Sequence, residues 1–115
     1  VQGGSNIIKL RGRSSFQSPA YNAVKMIEAA MGGEKFTLPA GCYVNCDKCG
    51  FKNVMMAMPT TIDKTGVHFT EPTGTEEELA SLAKSYEHLC KMRDEIVELG
   101  IVPPVAEWKE MNPNL

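Results

Sequence analysis

At 115 residues, the chain has room for one small domain, since such units commonly run to about 100–150 residues. Its 43% hydrophobic content, 23% charged content and net charge of −2 are those of an ordinary soluble globular protein. Lysine and arginine are scattered rather than massed, which leaves nucleic-acid binding without an electrostatic footprint. No apolar run approaches the roughly 20 residues that span a bilayer.

The opening Val1-Gln2-Gly3-Gly4 has neither the basic start nor the apolar stretch of a secretory leader. Its texture is that of the middle of a sequence, and we expect a piece of a longer chain. The four cysteines are then expected to stay reduced, in a cytoplasmic protein.

Ile7, Ile8 and Leu10 make a short apolar segment ahead of a loop from Arg11 to Gln17. Ser18-Pro19 predicts a helix start, with serine as N-cap and proline in the first helical position. Ala20, Ala23, Val24, Ile27 and Met31 recur at spacings of three and four, which continues the helix. Gly32-Gly33 ends that helix. Phe36 and Leu38 then alternate with polar neighbours. After a break at Pro39-Ala40-Gly41, Cys42 and Val44 predict a strand.

A second strand is predicted from Asn53 to Met58, with Val54, Met56 and Met58 sharing a face. Thr60 to Ile62 and Val67 to Phe69 flank Asp63-Lys64-Thr65-Gly66, which reads as an antiparallel hairpin turn. Thr75-Glu76-Glu77-Glu78 is a capping box, and its acidic first turn suits the positive end of a helix dipole. The helix it opens carries Leu79, Leu82, Ala83, Tyr86, Leu89, Ile96 and Val97 to a stop at Gly100. At 1.5 Å per residue it is roughly 36 Å long. The tail beyond Pro103-Pro104 is expected to be extended, with Trp108 as its one anchor.

Several residues carry chemistry in principle. Cys42, Cys46 and Cys49 have the spacing of three thiolates around a four-iron cluster. Enzymes using that motif place it in a large barrel, and they usually have an aromatic residue where this chain has Lys48. Cys46-Asp47-Lys48-Cys49-Gly50 also resembles half of a zinc knuckle. Structural zinc wants four ligands, and Cys42, Cys90, His68 and His88 are not suitably paired to complete the set. The plainer reading packs Cys42 as a small apolar residue and leaves Cys46 and Cys49 in a turn.

His68 and His88 have no serine or cysteine beside them in a nucleophile motif. Lys9, Arg11 and Arg13 alternate with other residues, a pattern suited to a solvated face or to an anion. The seven methionines, Met55, Met56 and Met58 among them, read as core filler. Neither glycine pair sits in the strand-Gly-x-Gly-helix context of a phosphate loop. From these residues alone the chain is a small α+β domain.

The order of motifs nevertheless resembles the C-terminal domain of the lactate/malate dehydrogenase family. Gly3-Gly4-Ser5-Asn6-Ile7-Ile8-Lys9-Leu10 resembles its Gly-Gly-x-x-Ile-Val-x-Leu stretch. Ser14-Ser15-Phe16-Gln17-Ser18-Pro19-Ala20 resembles the Ser-Ala-aromatic-x-Ala-Pro-Ala segment of its malate branch. Val24 to Ala29, Leu38-Pro39, Met58-Pro59, the Asp63–Val67 hairpin and Thr75 to Leu79 follow in the family's order. The Cys46–Cys49 turn is one residue longer than usual, and 101–115 has no counterpart.

The resemblance implies an antiparallel sheet packed against long helices, in a domain spanning 3–100 followed by a tail at 101–115. It implies the substrate-binding, subunit-contact portion of an NAD-dependent oxidoreductase of the tricarboxylic acid cycle, a homo-oligomer interconverting malate and oxaloacetate. Catalytic histidine, aspartate and arginines and the dinucleotide fingerprint belong ahead of Val1, so no catalytic or NAD-binding residue is expected in this chain, and the fragment alone is expected to be inert. By the same resemblance Ser14 lines the substrate site, with Ser15 and Gln17 beside it, and its small size leans towards malate. The competing reading is a metal-binding or protein-interaction module built on Cys42, Cys46 and Cys49.

Overall fold

A computed structural model describes residues 2–113 and 115. Helices α1 (Gly3–Arg11) and α2 (Gln17–Ala30) precede strands β1 (Ala40–Cys46), β2 (Phe51–Met58), β3 (Thr60–Asp63) and β4 (Gly66–Phe69). Helix α3 (Glu76–Glu98) follows, then a 3-10 turn at Val105–Glu107 and a short α4 (Trp108–Met111). The contacts group into two compact units. One holds the residues up to 37 together with 61–68, and the other holds 38–60 with 69–115.

The core of the second unit is the β1–β2 ladder, an antiparallel pair whose register runs from Ala40 opposite Met58 to Val44 opposite Val54. Side chains alternate between faces along a strand, so Cys42 and Val44 meet Val54, Met56 and Met58 on one side. All five are buried, and Leu82, Tyr86 and Leu89 of α3 pack against them. Met55 faces outward, so the run of methionines is core filler only at its alternate positions. The strands begin earlier than the sequence pattern indicated. The expected break at Pro39-Ala40-Gly41 falls partly inside β1, and β2 opens at Phe51, whose ring lies 4.8 Å from that of Tyr86.

The ladder is interrupted beyond Val44, where Cys46 pairs with Phe51. Lys52 and Asn53 thus oppose Asn45 alone, which makes a β-bulge on β2. Asn53 adopts φ +53°, a left-handed conformation that asparagine tolerates better than most residues. Its side-chain oxygen accepts a 2.6 Å hydrogen bond from the Tyr43 hydroxyl. The bulge frees backbone groups from the ladder, and α3 satisfies them. Arg93 Nη1 donates to the carbonyls of Lys52 and Asn53 at 3.3 and 3.0 Å, and the Lys52 N–H donates to the Tyr86 hydroxyl at 3.1 Å.

The long helix starts as its capping box requires: the Glu78 N–H donates to Thr75 Oγ1, and the Thr75 N–H donates to Glu78 Oε2. Its end is closed at Gly100, φ +67°. No residue of α3 is fully buried; it covers the ladder along one side, leaving Leu79 and Ile96 exposed. The tail is not extended. The Trp108 indole N–H donates to the Pro103 carbonyl at 2.8 Å, which coils 103–108 into a compact turn, and the ring lies 6.4 Å from Tyr43.

In the first unit the segment around Ile7 is a helix, closed by Gly12 at φ +70°, whose N–H donates to the Ile8 carbonyl at 2.8 Å. None of its side chains is buried. Helix α2 begins one residue before Ser18, with Phe16 in the N-cap position and no side chain capping it. Ser18 thus lies in the first turn, and the expected serine cap is corrected. The apolar residues that recur at helical spacing, Ala20, Ala23, Val24, Ile27 and Met31, are all exposed. The covered side is instead Asn22, Lys25, Met26 and Ala29, the same helical period rotated round the axis, with only Ala29 fully buried.

The β3–β4 hairpin closes as expected, with Gly66 at φ +127°. Asp63 Oδ1 accepts from the Thr65 hydroxyl and, at 2.8 Å, from the Thr65 N–H, while Lys35 Nζ sits 3.1 Å from Oδ2. These donors hold the Asp63 carboxyl well below the usual carboxylate range. The unfolded chain, with an ordinary carboxylate near pH 4, binds that proton more readily. The hairpin's contribution is therefore complete above about pH 4 and is lost as pH falls through the depressed folded value. Asp63→Asn is expected to remove part of the acid-side loss of stability, read as a shallower fall in melting temperature between pH 5 and 2. An unchanged slope would contradict this.

Candidate functional site

The loop joining α1 to α2 gathers the polar groups that the sequence singled out. Lys9 and Arg11 occupy the last turn of α1, where cations suit the negative end of the helix dipole. The Arg11 and Arg13 guanidinium carbons lie 5.6 and 5.3 Å from the centre of the Phe16 ring, so one aromatic ring attracts two cations. Arg11 Nη1 also donates to Gln17 Oε1 at 3.0 Å. Among the described residues neither guanidinium forms an ion pair with a carboxylate, and both keep donors for an anion.

Ser14 is exposed, Ser15 half-buried and Gln17 exposed at the first residue of α2. All three lie on the short segment that follows Arg11, and among them Gln17 is the one bonded to it. The sequence reading did not foresee Phe16 as the platform for both guanidinium groups. An aromatic residue three and five positions after two arginines was the available signal.

Next to α2, a shallow groove of about 570 Å³ is bordered by Val24, Ile27, Glu28, Met31 and Gly33. Its walls belong mainly to the apolar stripe that this chain leaves open to solvent.

The other candidate centre, the cysteine turn, does not assemble a metal cage. Among the described residues, no group of three or more histidine, cysteine, aspartate or glutamate side chains is placed to hold a metal ion. Cys42 is buried, with its thiol 3.8 Å from the Met56 carbonyl oxygen, while Cys46 and Cys49 are half-buried at the hairpin end. His68 Nε2 lies 2.8 Å from the Thr65 hydroxyl, within the β3–β4 turn, and His88 is exposed on α3.

A dinucleotide does not fit the glycines present. Gly3-Gly4 open α1 and Gly32-Gly33 close α2, whereas a pyrophosphate needs a glycine-rich turn leading from a strand into a helix N-terminus. Among the described residues no helix is long and apolar enough to cross a membrane.

The sequence profile of the lactate/malate dehydrogenase α/β C-terminal domain matches residues 1–99. The chain belongs to that family. Individual members agree with the assignment. A malate dehydrogenase of Geobacillus kaustophilus (strain HTA426) is 35% identical over 88 residues, 75% of this chain and 28% of that protein. One of Sorangium cellulosum (strain So ce56) is 34% identical over 85 residues, 73% of this chain and 27% of that protein. The crystal structure of malate dehydrogenase from Plasmodium falciparum superposes with a TM-score of 0.75 at 24% identity, covering 85% of this chain and 31% of that one. The chain thus spans less than a third of the length of the family members it matches. The small antiparallel ladders and long helices of this family's C-terminal domain are those described above, and the metal-module alternative is not favoured.

Proposed function

We propose that this chain is the substrate-binding and subunit-contact domain, residues 3–100 with a tail at 101–115, of an NAD-dependent malate dehydrogenase. The parent enzyme interconverts malate and oxaloacetate in the cytoplasm, as a step of the tricarboxylic acid cycle. The carrying observation is the match to the family's C-terminal domain over 1–99, with malate dehydrogenases as its relatives.

In this reading, Ser14, Ser15 and Gln17 form part of the wall against which the dicarboxylate lies. Their hydroxyl and amide groups orient substrate oxygens, and the neighbouring Arg11 and Arg13 give the wall a positive potential that suits a dianion. The nicotinamide cofactor and the proton-transferring groups belong to a portion outside these residues, in keeping with glycine pairs that open α1 and close α2 rather than lead from a strand into a helix. The exposed apolar side of α2 serves contact with another subunit, in keeping with a homo-oligomer.

The chain alone is expected to show no oxaloacetate-dependent oxidation of NADH; turnover by the isolated chain would refute that division of labour. The wall itself is testable in a hybrid in which this chain replaces the matching segment of the Geobacillus kaustophilus enzyme. There Ser14→Trp is expected to raise the KM for oxaloacetate by about tenfold or more, since bulk at the wall displaces bound substrate. An unchanged KM in a folded hybrid would remove Ser14 from the site.

A further inference from the structure

The Cys46–Cys49 turn has an arrangement that the proposed dehydrogenase role leaves unused. Cys46 ends β1 and Cys49 follows Asp47 and Lys48 in the tight connection to β2, with Gly50 at φ +74° completing the reversal. The Cys49 N–H donates to Cys46 Sγ at 3.2 Å, and the Cys49 thiol lies 3.9 Å from the Cys46 carbonyl oxygen. Both sulfurs are thus drawn into one turn. Residues three apart around such a turn have Cα atoms within about 7 Å, the range that a disulfide bridges without moving the backbone.

The two thiols are not equivalent. Hydrogen bonds from the Cys49 side chain and backbone hold the Cys46 thiol below its ordinary value, whereas burial pushes the Cys49 thiol up. The thiolate is the nucleophile in sulfur chemistry, and Cys46 is the better supplied with it. Charges around the turn are nearly balanced: Glu71 opposes the thiolate but is paired with Lys48 at 3.6 Å, and Lys52 pairs with Asp47. A cavity of about 330 Å³, bordered by Lys48, Cys49, Phe51, Glu71, Leu79 and Ala83, opens beside the Cys49 end of the turn. The remaining thiols lack this setting, since Cys42 is buried in the ladder and Cys90 sits on α3.

We propose that Cys46 and Cys49 form a dithiol site that exchanges with low-molecular-weight disulfides and closes to an intramolecular disulfide. The Cys46 thiolate attacks one sulfur of the incoming disulfide, forming a mixed disulfide and expelling one thiolate. Cys49 then loses its proton to solvent and attacks the Cys46 sulfur, breaking the mixed disulfide and expelling the second thiolate. Two electrons pass from the protein dithiol to the reagent. The two protons lost by the protein are matched by the two thiolates released.

Glutathione disulfide is the probe, added to the reduced chain, which is then alkylated and cut with trypsin without reductant. Cleavage after Lys48 separates the two cysteines, so a bridge between them holds the Phe36–Lys48 and Cys49–Lys52 peptides together. The linked pair is expected, with Cys42 and Cys90 alkylated. In Cys49→Ser a glutathione adduct is expected to accumulate on Cys46. In Cys46→Ser, Cys49 is expected to react no faster than Cys90. The proposal is overturned if the wild-type peptides separate with both thiols alkylated. It is equally overturned if adducts form on Cys90 as fast as on Cys46, or if one equivalent of zinc binds the reduced turn and shields both thiols.

Discussion

Met58→Ala is expected to lower the stability of the chain by about 2–5 kcal/mol, the range for truncating a buried methionine to alanine. Met58 is 1% exposed, at the end of the β1–β2 register opposite Ala40. Its alanine partner cannot expand to fill the space, and β-sheet packing relaxes little around a lost side chain. A domain of this length has a total stability on the order of 6–17 kcal/mol, so the loss is a large share of it. Urea unfolding checks the expectation: the midpoint should fall markedly with the slope unchanged. Met55→Ala, on the exposed side of the same strand, should change the stability by less than about 0.5 kcal/mol. Equal losses at the two positions would mean that the ladder's faces are assigned wrongly.

Arg93→Ala is expected to cost about 2–3 kcal/mol, although the residue lies on a helix without any fully buried side chain. Its guanidinium donates to the carbonyls of Lys52 and Asn53, which the bulge has removed from the ladder, and it is also paired with Asp94 at 2.7 Å. Truncation leaves those carbonyls without their charged donor and loosens α3 from β2. Asp94→Ala removes a carboxylate that is itself exposed and leaves the Arg93 bonds to β2 in place, and it should cost less than about 1 kcal/mol. Backbone hydrogen exchange offers a local check. Amides at 51–54 should exchange faster in Arg93→Ala, while those at 56–58 change less. Uniform loss of protection would instead indicate general destabilisation.

These two positions also show what the sequence could and could not convey. Val54, Met56 and Met58 were legible because a strand with one covered face writes its burial in alternate residues. The hairpin at Gly66 and the capping box at Thr75 were legible for the same kind of reason: each is a local requirement of backbone geometry. The bulge was not, because Asn53 depends on a donor 40 residues further along the chain.

Helix α2 teaches a different lesson. Periodicity correctly grouped Ala20, Val24, Ile27 and Met31 on one side, but it cannot say whether that side is covered by this chain. The α1 segment was obscured by two glycines at its start and by the absence of any buried residue to mark a face. At the candidate site, Ser14, Ser15 and Gln17 were picked out by resemblance. What three dimensions add is the stacking of Arg11 and Arg13 on Phe16 and the bond from Arg11 to Gln17.

The most direct test is oxaloacetate-dependent oxidation of NADH by the Geobacillus kaustophilus hybrid, compared with that enzyme lacking the replaced segment. A cavity completed by this chain is expected to restore kcat/KM to within about a hundredfold of the intact enzyme, a loss of no more than roughly 2.7 kcal/mol in transition-state binding. A hybrid that folds and binds NADH, yet turns over no faster than the truncated enzyme, would contradict the assignment of this chain to the substrate wall of a malate dehydrogenase.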